Sequence, residues 1–334
     1  MKTAYLIMAH TAPAQLRRLV ELLRHPDVGI FVHIDAKVDA SAFSELTPLG
    51  VRFCRQQDRV QVHWGDYSQL EATMTLMRAA LGAAERFDRL VLLSGMDLPL
   101  RPAAPLQQFF DEHATTEFVN LVPIPCAKAN KTESRLTDRW FRPSLAGKIH
   151  RRLVRRGLLP ATRDYRPAFA DLKPFAGSQW WALTRACSEF VLAEVAARPR
   201  LVRFIKGTAC ADETLIQTLI GNSRFAAHAA RALTFTRWKP GASSPDVLEP
   251  DDMRQLLAHP QHLEDSVYGG GPILFARKFN EATSAQAVEL VRASVHAAPV
   301  HGSAAPQVRR HHDQRPPHSE LAPGDDEGLA AAVV

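Results

Sequence analysis

The stretch Cys210-Ala211-Asp212-Glu213-Thr214-Leu215-Ile216 places an acidic pair at the opening of an apolar run. A carboxylate there can take a proton from a hydroxyl held within hydrogen-bond reach, which makes Glu213 the candidate general base. Three other stretches bring groups that such a reaction uses. Ser94-Gly95-Met96-Asp97-Leu98-Pro99-Leu100 sets Asp97 just past an apolar run. Gly177-Ser178-Gln179-Trp180-Trp181 supplies flat apolar rings, and Phe275-Ala276-Arg277-Lys278-Phe279 puts two cations between phenylalanines. Each stretch alone has a simpler reading. Acidic residues are favoured in the first turn of any helix by its dipole, Asp212 can serve as the cap, and Arg277-Lys278 can be a solvated pair.

Asp35 closes the apolar run Gly29-Ile30-Phe31-Val32-His33-Ile34, and like Asp97 it falls at the carboxyl end of an expected strand. Ligands of open α/β sheets bind beyond those ends, so both carboxylates suit hydrogen bonds from a base NH or a sugar hydroxyl. A divalent ion under a nucleotide diphosphate is commonly held by Asp-x-Asp, but position 95 is Gly, and a lone carboxylate lacks the usual ligand set. Fixed cations then have to balance the phosphates, and Lys278 beside Arg277 is placed to do so. Adjacent tryptophans in a strand point to opposite sides, so one of Trp180 and Trp181 is expected to face a site and the other the core. Trp238, between Arg237 and Lys239, is a further aromatic candidate for acceptor contact. His10, His33 and His63 lack metal-ligand spacing and are expected to be structural.

The elements that position these groups alternate between strand and helix patterns, which predicts βαβ units and a largely parallel sheet. Strands are expected at 4–9, 29–35, 51–53, 60–62, 89–93, 180–184 and 232–235, with helices at 13–23, 68–81, 185–197 and 212–220. Periodicity weakens between Pro123 and Pro174, where Lys, Arg, Pro and Trp become frequent, as expected of an excursion carrying substrate loops. We therefore expect one catalytic domain over 1–297, with a donor-nucleotide half at about 1–122 and an acceptor half at about 123–297. Residues 298–334, rich in His, Pro, Ala, Gly and charge, are expected to be a disordered tail.

Of 334 residues, 46% are hydrophobic and 23% charged, ordinary for a globular chain with a large core. No run approaches the roughly 18 apolar residues of a membrane span, and no signal peptide is recognisable, so a soluble cytoplasmic protein is expected. The four cysteines are widely spaced, which excludes a zinc ribbon and a dense disulfide framework. The net charge of +6 is concentrated in Lys148-Ile149-His150-Arg151-Arg152-Leu153-Val154-Arg155-Arg156. This stretch suits a solvated face or peripheral contact with the anionic inner face of a membrane. Nucleic acid is not expected, since no recognition motif accompanies it.

Taken together the motifs resemble the core-2/I-branching β-1,6-N-acetylglucosaminyltransferase family, which includes the peptide O-xylosyltransferases. The matching stretches begin with Ala4-Tyr5-Leu6-Ile7-Met8-Ala9-His10 and Phe31-Val32-His33-Ile34-Asp35-Ala36-Lys37. They continue through the helix at 68–81, the turn from Leu92 to Leu100, Gly177 to Trp181, Asp212-Glu213-Thr214 and Phe275 to Phe279, in family order over about 3–280. The resemblance implies a GT-A-type α/β fold, with a Rossmann-like mixed sheet flanked by helices, in a bacterial-type member. It also implies inverting transfer of a sugar, GlcNAc by this likeness, from a UDP-sugar to a glycan acceptor, with no metal or other cofactor. By the same likeness Asp35 contacts the uracil-ribose part, Glu213 is the base and Lys278 replaces the metal at the diphosphate. The family's second cation has no well-placed counterpart; Arg254 is poorly placed, leaving Arg237 or Arg277. Two rivals stay open: transfer of xylose to a protein serine, and a non-catalytic module that binds a UDP-sugar or a polyanion.

Overall fold

The computed structural model describes residues 1–297 apart from 142–144, 240, 241, 243, 265 and 281. Residues 1–300 cluster as one unit. The tail expected at 298–334 lies outside the described residues.

Strands β1 (Thr3–Ala9), β2 (Val28–Ile34), β3 (Arg52–Phe53) and β4 (Arg89–Ser94) run parallel, with β1 between β2 and β4. Burial on both faces explains their almost continuous apolar sequence. Tyr5, Ile7 and Ala9 of β1 enter one cluster with the helices Pro13–Leu23 and Ala285–Ala297. Ala4 and Leu6 enter the other, with the helices Tyr67–Leu81 and Leu215–Gly221. Leu16, Leu19, Val20 and Leu23 are fully buried along the first helix, at the spacing that predicts it, and Pro13 stands in its first turn. Each large apolar side chain so buried contributes about 1.5–3 kcal/mol relative to exposure.

Beyond β4 the chain order breaks and one strand of the main sheet is reversed. β5 (Asp97–Pro99) leaves the main sheet, while β6 (Glu117–Phe118), β9 (Ala182–Thr184) and β10 (Ala229–Ala230) extend it, with β7 (Val122–Pro123) and β8 (Phe175–Ala176) pairing between them. The order is β10-β6-β9-β4-β1-β2-β3, and β9 is antiparallel to both β4 and β6, so the sheet is mixed. The expectation of a largely parallel sheet holds for all its strands but β9, since β6 opposes β9 and β10 runs parallel to β6. Buried Arg89 holds this junction by donating to the carbonyls of Thr116 (2.7 Å), Ala182 (3.0 Å) and His113 (2.7 Å). Burial lowers its pKa to about 10.

β11 (Thr234–Thr236), β12 (Gln261–His262), β13 (Gly271–Pro272) and β14 (Phe275–Arg277) complete the strands. β14 lies between β11, parallel to it, and β5, antiparallel to it, so that Arg277 stands opposite Asp97. The excursion contributes short helices at Ser134–Thr137, Leu145–Arg155 and Arg166–Phe169. Arg163 fastens it, reaching the carbonyls of Leu136 and Phe204 and lying 3.8 Å over the Phe204 ring. Lys148, Arg152 and Arg155 of the basic helix are exposed, with Ile149 among them. No helix of the described residues is long and apolar enough to cross a membrane. All four cysteines are free, Cys187 buried and the others partly so.

Four expected elements differ, the strand expected at 232–235 being Thr234–Thr236. Residues 60–62 form no strand; Val60 instead donates to His33 Nε2 (2.8 Å). The strand at Trp180 begins two residues later. The expected helix at 212–220 is two pieces, a 3-10 turn at Ala211–Glu213 and the helix Leu215–Gly221, broken at Thr214 (φ −127°).

Gly177 marks the tightest approach near the site. A Cβ there would stand 1.8 Å from the Asn120 carbonyl oxygen, a backbone atom that no rotamer change can move away. Gly177→Ala is expected to destabilise the fold by about 1–3 kcal/mol, as overpacking does. Urea unfolding checks this, and an unchanged midpoint at unchanged slope would refute it.

Candidate active site

Glu213 is the last residue of the short turn Ala211–Glu213, so capping of an α-helix by the dipole does not explain it. The turn is anchored on two sides. Cys210, at φ 50°, donates from its N–H to the Gly65 carbonyl (2.8 Å), and Gly177 donates to the Glu213 carbonyl (3.0 Å). Two cations from the excursion then converge on one carboxylate oxygen, Lys131 Nζ at 2.7 Å and Arg135 Nη1 at 2.9 Å from Oε2. The three side chains are 24%, 11% and 16% exposed, so these are largely desolvated, charge-assisted bonds. Oε1 accepts from neither cation.

Neither Lys131 nor Arg135 was anticipated. They are 82 and 78 residues from Glu213 in sequence and lie where periodicity is weakest, so no local signal linked them to it. Their i, i+4 spacing is no hint either, since Lys131 lies before the helix Ser134–Thr137 that holds Arg135.

Asp212, beside Glu213, is buried, and its Oδ1 has no hydrogen-bond partner among the described residues. Burial, and then the charge of Glu213, raise its pKa to about 7, with Arg135 and Lys131 opposing. The adjacent carboxyls are thus in unlike surroundings. One is clamped by cations; the other is dry and favours the neutral acid.

A second cluster joins three motifs. Asp97 is fully buried, accepts from the Ser94 N–H through Oδ2 (2.9 Å) and has Arg277 Nη1 3.4 Å from Oδ1. Desolvation raises its pKa to about 6 against the pull of Arg277. The Arg277 guanidinium lies 4.2 Å from the centre of the Trp180 ring, and burial lowers its pKa. Trp180 belongs to the stretch whose Gly177 bonds to Glu213, so the two clusters are neighbours.

Asp35 follows β2 directly. Its Oδ1 accepts from Lys37 N–H (2.9 Å) and Val62 N–H (3.4 Å), and Lys37 Nζ is 3.4 Å from Oδ2. Arg59, not singled out from sequence, fixes the backbone there by donating to the carbonyls of Ile34 (3.0 Å) and Asp35 (2.8 Å). His33 is buried, with its pKa lowered to about 4 by desolvation, and is structural as expected.

The four candidate phosphate cations are sorted by their partners. Arg277 faces Asp97 inside the fold. Arg237 bonds to Asp252 and stands 3.5 Å from Asp246, its charge taken up by carboxylates. Arg254 pairs with Asp251. Among the described residues the Lys278 side chain bonds only to the Ser244 hydroxyl (3.3 Å), and no carboxylate pairs with it. Neither Arg237 nor Arg277 is placed as a free second cation.

The aromatic expectations need correction at one position. Trp181 is 2% exposed within the core, and its carbonyl accepts from Leu92 N–H, so it does not offer a face to an acceptor. Trp180 borders the site but is itself 9% exposed and covered by Arg277. Trp238 is half-exposed, with its Nε1 donating to Thr236 Oγ1 (3.1 Å).

The family model described as Core-2/I-Branching enzyme matches residues 3–258. The chain belongs to the core-2/I-branching enzyme family. It is accordingly a glycosyltransferase, acting between a nucleotide-sugar donor and a glycan acceptor. The mixed sheet flanked by helices is the α/β architecture expected of it. Among solved structures this glycosyltransferase is similar to mouse xyloside xylosyltransferase 1 in its apo form. Identity is 11%, coverage is 84% of this chain and 99% of that one, and the TM-score is 0.37. It is also similar to a 4-diphosphocytidyl-2C-methyl-D-erythritol synthase, at 14% identity, 62% and 87% coverage and a TM-score of 0.32. Overlaps this loose carry no argument about activity. No curated protein sequence matches the chain.

The raised pKa of Asp212 makes stability depend on pH. An unfolded Asp titrates near about 3.9, so between there and about 7 the folded enzyme binds more protons than the unfolded chain. Stability from this group is therefore complete below the unfolded value and falls as pH rises through the folded one. Relative to Asp212→Asn, the native chain is expected to lose stability between about pH 4.5 and 7, with a slope approaching 1.4 kcal/mol per pH unit. Parallel curves for the two proteins across that range, measured by urea unfolding, would show that Asp212 is not held neutral.

Proposed function

We propose that this enzyme moves a sugar, GlcNAc, from a UDP-sugar to a hydroxyl of a glycan acceptor, with inversion, in the manner of β-1,6 branching, and without a metal. The observation that carries this reading is the Glu213 carboxylate, clamped through Oε2 by Lys131 and Arg135 with Oε1 left over, on a turn bonded to Gly65 and Gly177. A base that must act at a defined place benefits from being held there before substrate arrives.

Oε1 takes the acceptor proton as the hydroxyl oxygen forms its bond to the anomeric carbon. The bond from that carbon to the diphosphate oxygen breaks on the opposite side, and UDP departs with the electron pair. Lys278, the candidate cation with no carboxylate partner, meets the charge that develops on the leaving group. Asp35 takes the nucleoside, at the carboxyl end of β2 where α/β sheets bind such groups. Metal independence is supported by the setting of Asp97. It is fully buried, holds the Ser94 amide and faces Arg277, so it is not an open ligand for an ion.

Glu213→Gln is expected to leave the affinity for UDP within about twofold and to lower transfer by about 100-fold or more, the usual scale of general-base contributions. Single-turnover assays over UDP-GlcNAc, UDP-xylose and UDP-glucose, with UDP binding measured separately, check this. Normal turnover by the Gln variant would remove Glu213 from the mechanism. Turnover of UDP-xylose alone would favour the xylosyl reading, and UDP-sugar binding without any turnover a binding module.

Activity is also expected to survive exhaustive EDTA treatment unchanged. A requirement for added Mn²⁺ or Mg²⁺, seen in the same assay, would mean that Lys278 does not stand in for the ion.

A further inference from the structure

Trp64 is 60% exposed, so much of a large aromatic ring is open to solvent. It is also held in place. Its ring packs edge-on against Trp140, with centroids 6.2 Å apart and planes at 69°. The next residue, Gly65 at φ 68°, lies under the Trp140 ring, whose nearest atom would be 3.3 Å from an added Cβ. Gly65 donates to Gln69 Oε1 (2.8 Å) and accepts from Cys210 N–H, and Cys210 in turn accepts from Glu213 N–H (3.1 Å). The indole is therefore next to the turn that carries the base, on a backbone fixed to it.

The other wall of this corner has the same origin as the clamp on Glu213. Segment 131–140 supplies Lys131 and Arg135 to Oε2 and Trp140 to Trp64, and Trp140 N–H is tied to the Gly207 carbonyl (2.9 Å). Asp97, Arg277 and Lys278 reach the site from a different pair of strands. Trp64 thus belongs with the side of Glu213 that the excursion builds, and it faces outward from there.

The geometry points to Trp64 as an acceptor subsite, where the exposed indole stacks against the apolar C–H face of a pyranose ring in the glycan whose hydroxyl meets Glu213. This rests on the transfer reaction proposed above and adds to it the residue that receives the acceptor ring. A flat, rigid aromatic beside a polar reacting centre suits a sugar, which offers an apolar face and a rim of hydroxyls. Trp180 and Trp181, the rings that sequence motifs favour, are covered by Arg277 and by the core.

The test uses the full chain, with and without saturating UDP, and the methyl β-pyranosides of galactose, glucose, N-acetylglucosamine and N-acetylgalactosamine as probes. Saturation-transfer NMR identifies the glycoside that binds best, which is then titrated against the native chain, Trp64→Ala and Trp64→Phe, with UDP titrated separately. At least one glycoside is expected to bind, Trp64→Ala to weaken it about tenfold, and Trp64→Phe to recover most of the loss, as for an aromatic anchor. The Kd for UDP is expected to stay within about twofold and thermal unfolding to be unchanged, since the side chain is exposed. The proposal is overturned if no glycoside binds the native chain, or if Trp64→Ala binds it equally well. It is also overturned if only UDP affinity falls, which would put Trp64 on the donor. Failure of the native chain to bind UDP would instead count against the transfer reading, and the glycoside titration without UDP keeps the two results separate.

Discussion

A carboxylate removed from most of its water needs positive partners, and Glu213 has two on a single oxygen. Taking ions out of water is costly, and the cost is offset only when geometry is good and the remaining hydrogen-bond capacity is used. Lys131 and Arg135 meet that requirement from a segment with little regular structure of its own, so Glu213 and the excursion order one another. Other features nearby follow from the same constraint. Cys210 takes a left-handed backbone conformation so that its turn can bond to Gly65, Thr214 breaks the helix so that Glu213 faces the cations, and Gly177 has no side chain because Asn120 presses on it.

The electrostatics of the corner are asymmetric as a result. Two cations stand against Glu213, and Asp212 is driven toward its neutral form by burial and by the neighbouring charge. Were Asp212 charged, the four groups would sum to zero; neutral, it leaves an excess of one positive charge in this corner. The second cluster works in the opposite sense. Asp97 and Arg277 neutralise each other beneath Trp180, closing the floor between β5 and β14 and leaving Lys278, the next residue, as the candidate cation without a carboxylate partner.

Much of the fold was legible because it depends on local periodicity. The β1 and β2 runs, the helices at 13–23 and 68–81 and the turn at Ser94–Asp97 all carry patterns whose spacing matches the burial they reach. The edge beyond β4 was less legible. Only β9 is reversed there, the buried Arg89 guanidinium ties its Ala182 carbonyl to those of Thr116 and His113, and the two-residue strands β6 and β10 leave no periodic trace. Residues 60–62 looked like a strand because Val alternates with polar residues, yet their polar groups bond to His33 and Asp35 instead.

By itself, the sequence determined the family, the order of the motifs, and the identity of Glu213, Asp35 and Lys278 as the residues to watch, because residue type and short-range spacing carry that information. Only the tertiary structure decided how charge is distributed among them. It turned Arg277 inward to Asp97, surrounded Arg237 with carboxylates, buried Trp181 and left Trp64 in water. It also brought Lys131 and Arg135 across about 80 residues to Glu213. The physical reason is that the state and availability of a charged side chain depend on its desolvation and its partners, and those are set by contacts between segments that the linear chain keeps apart.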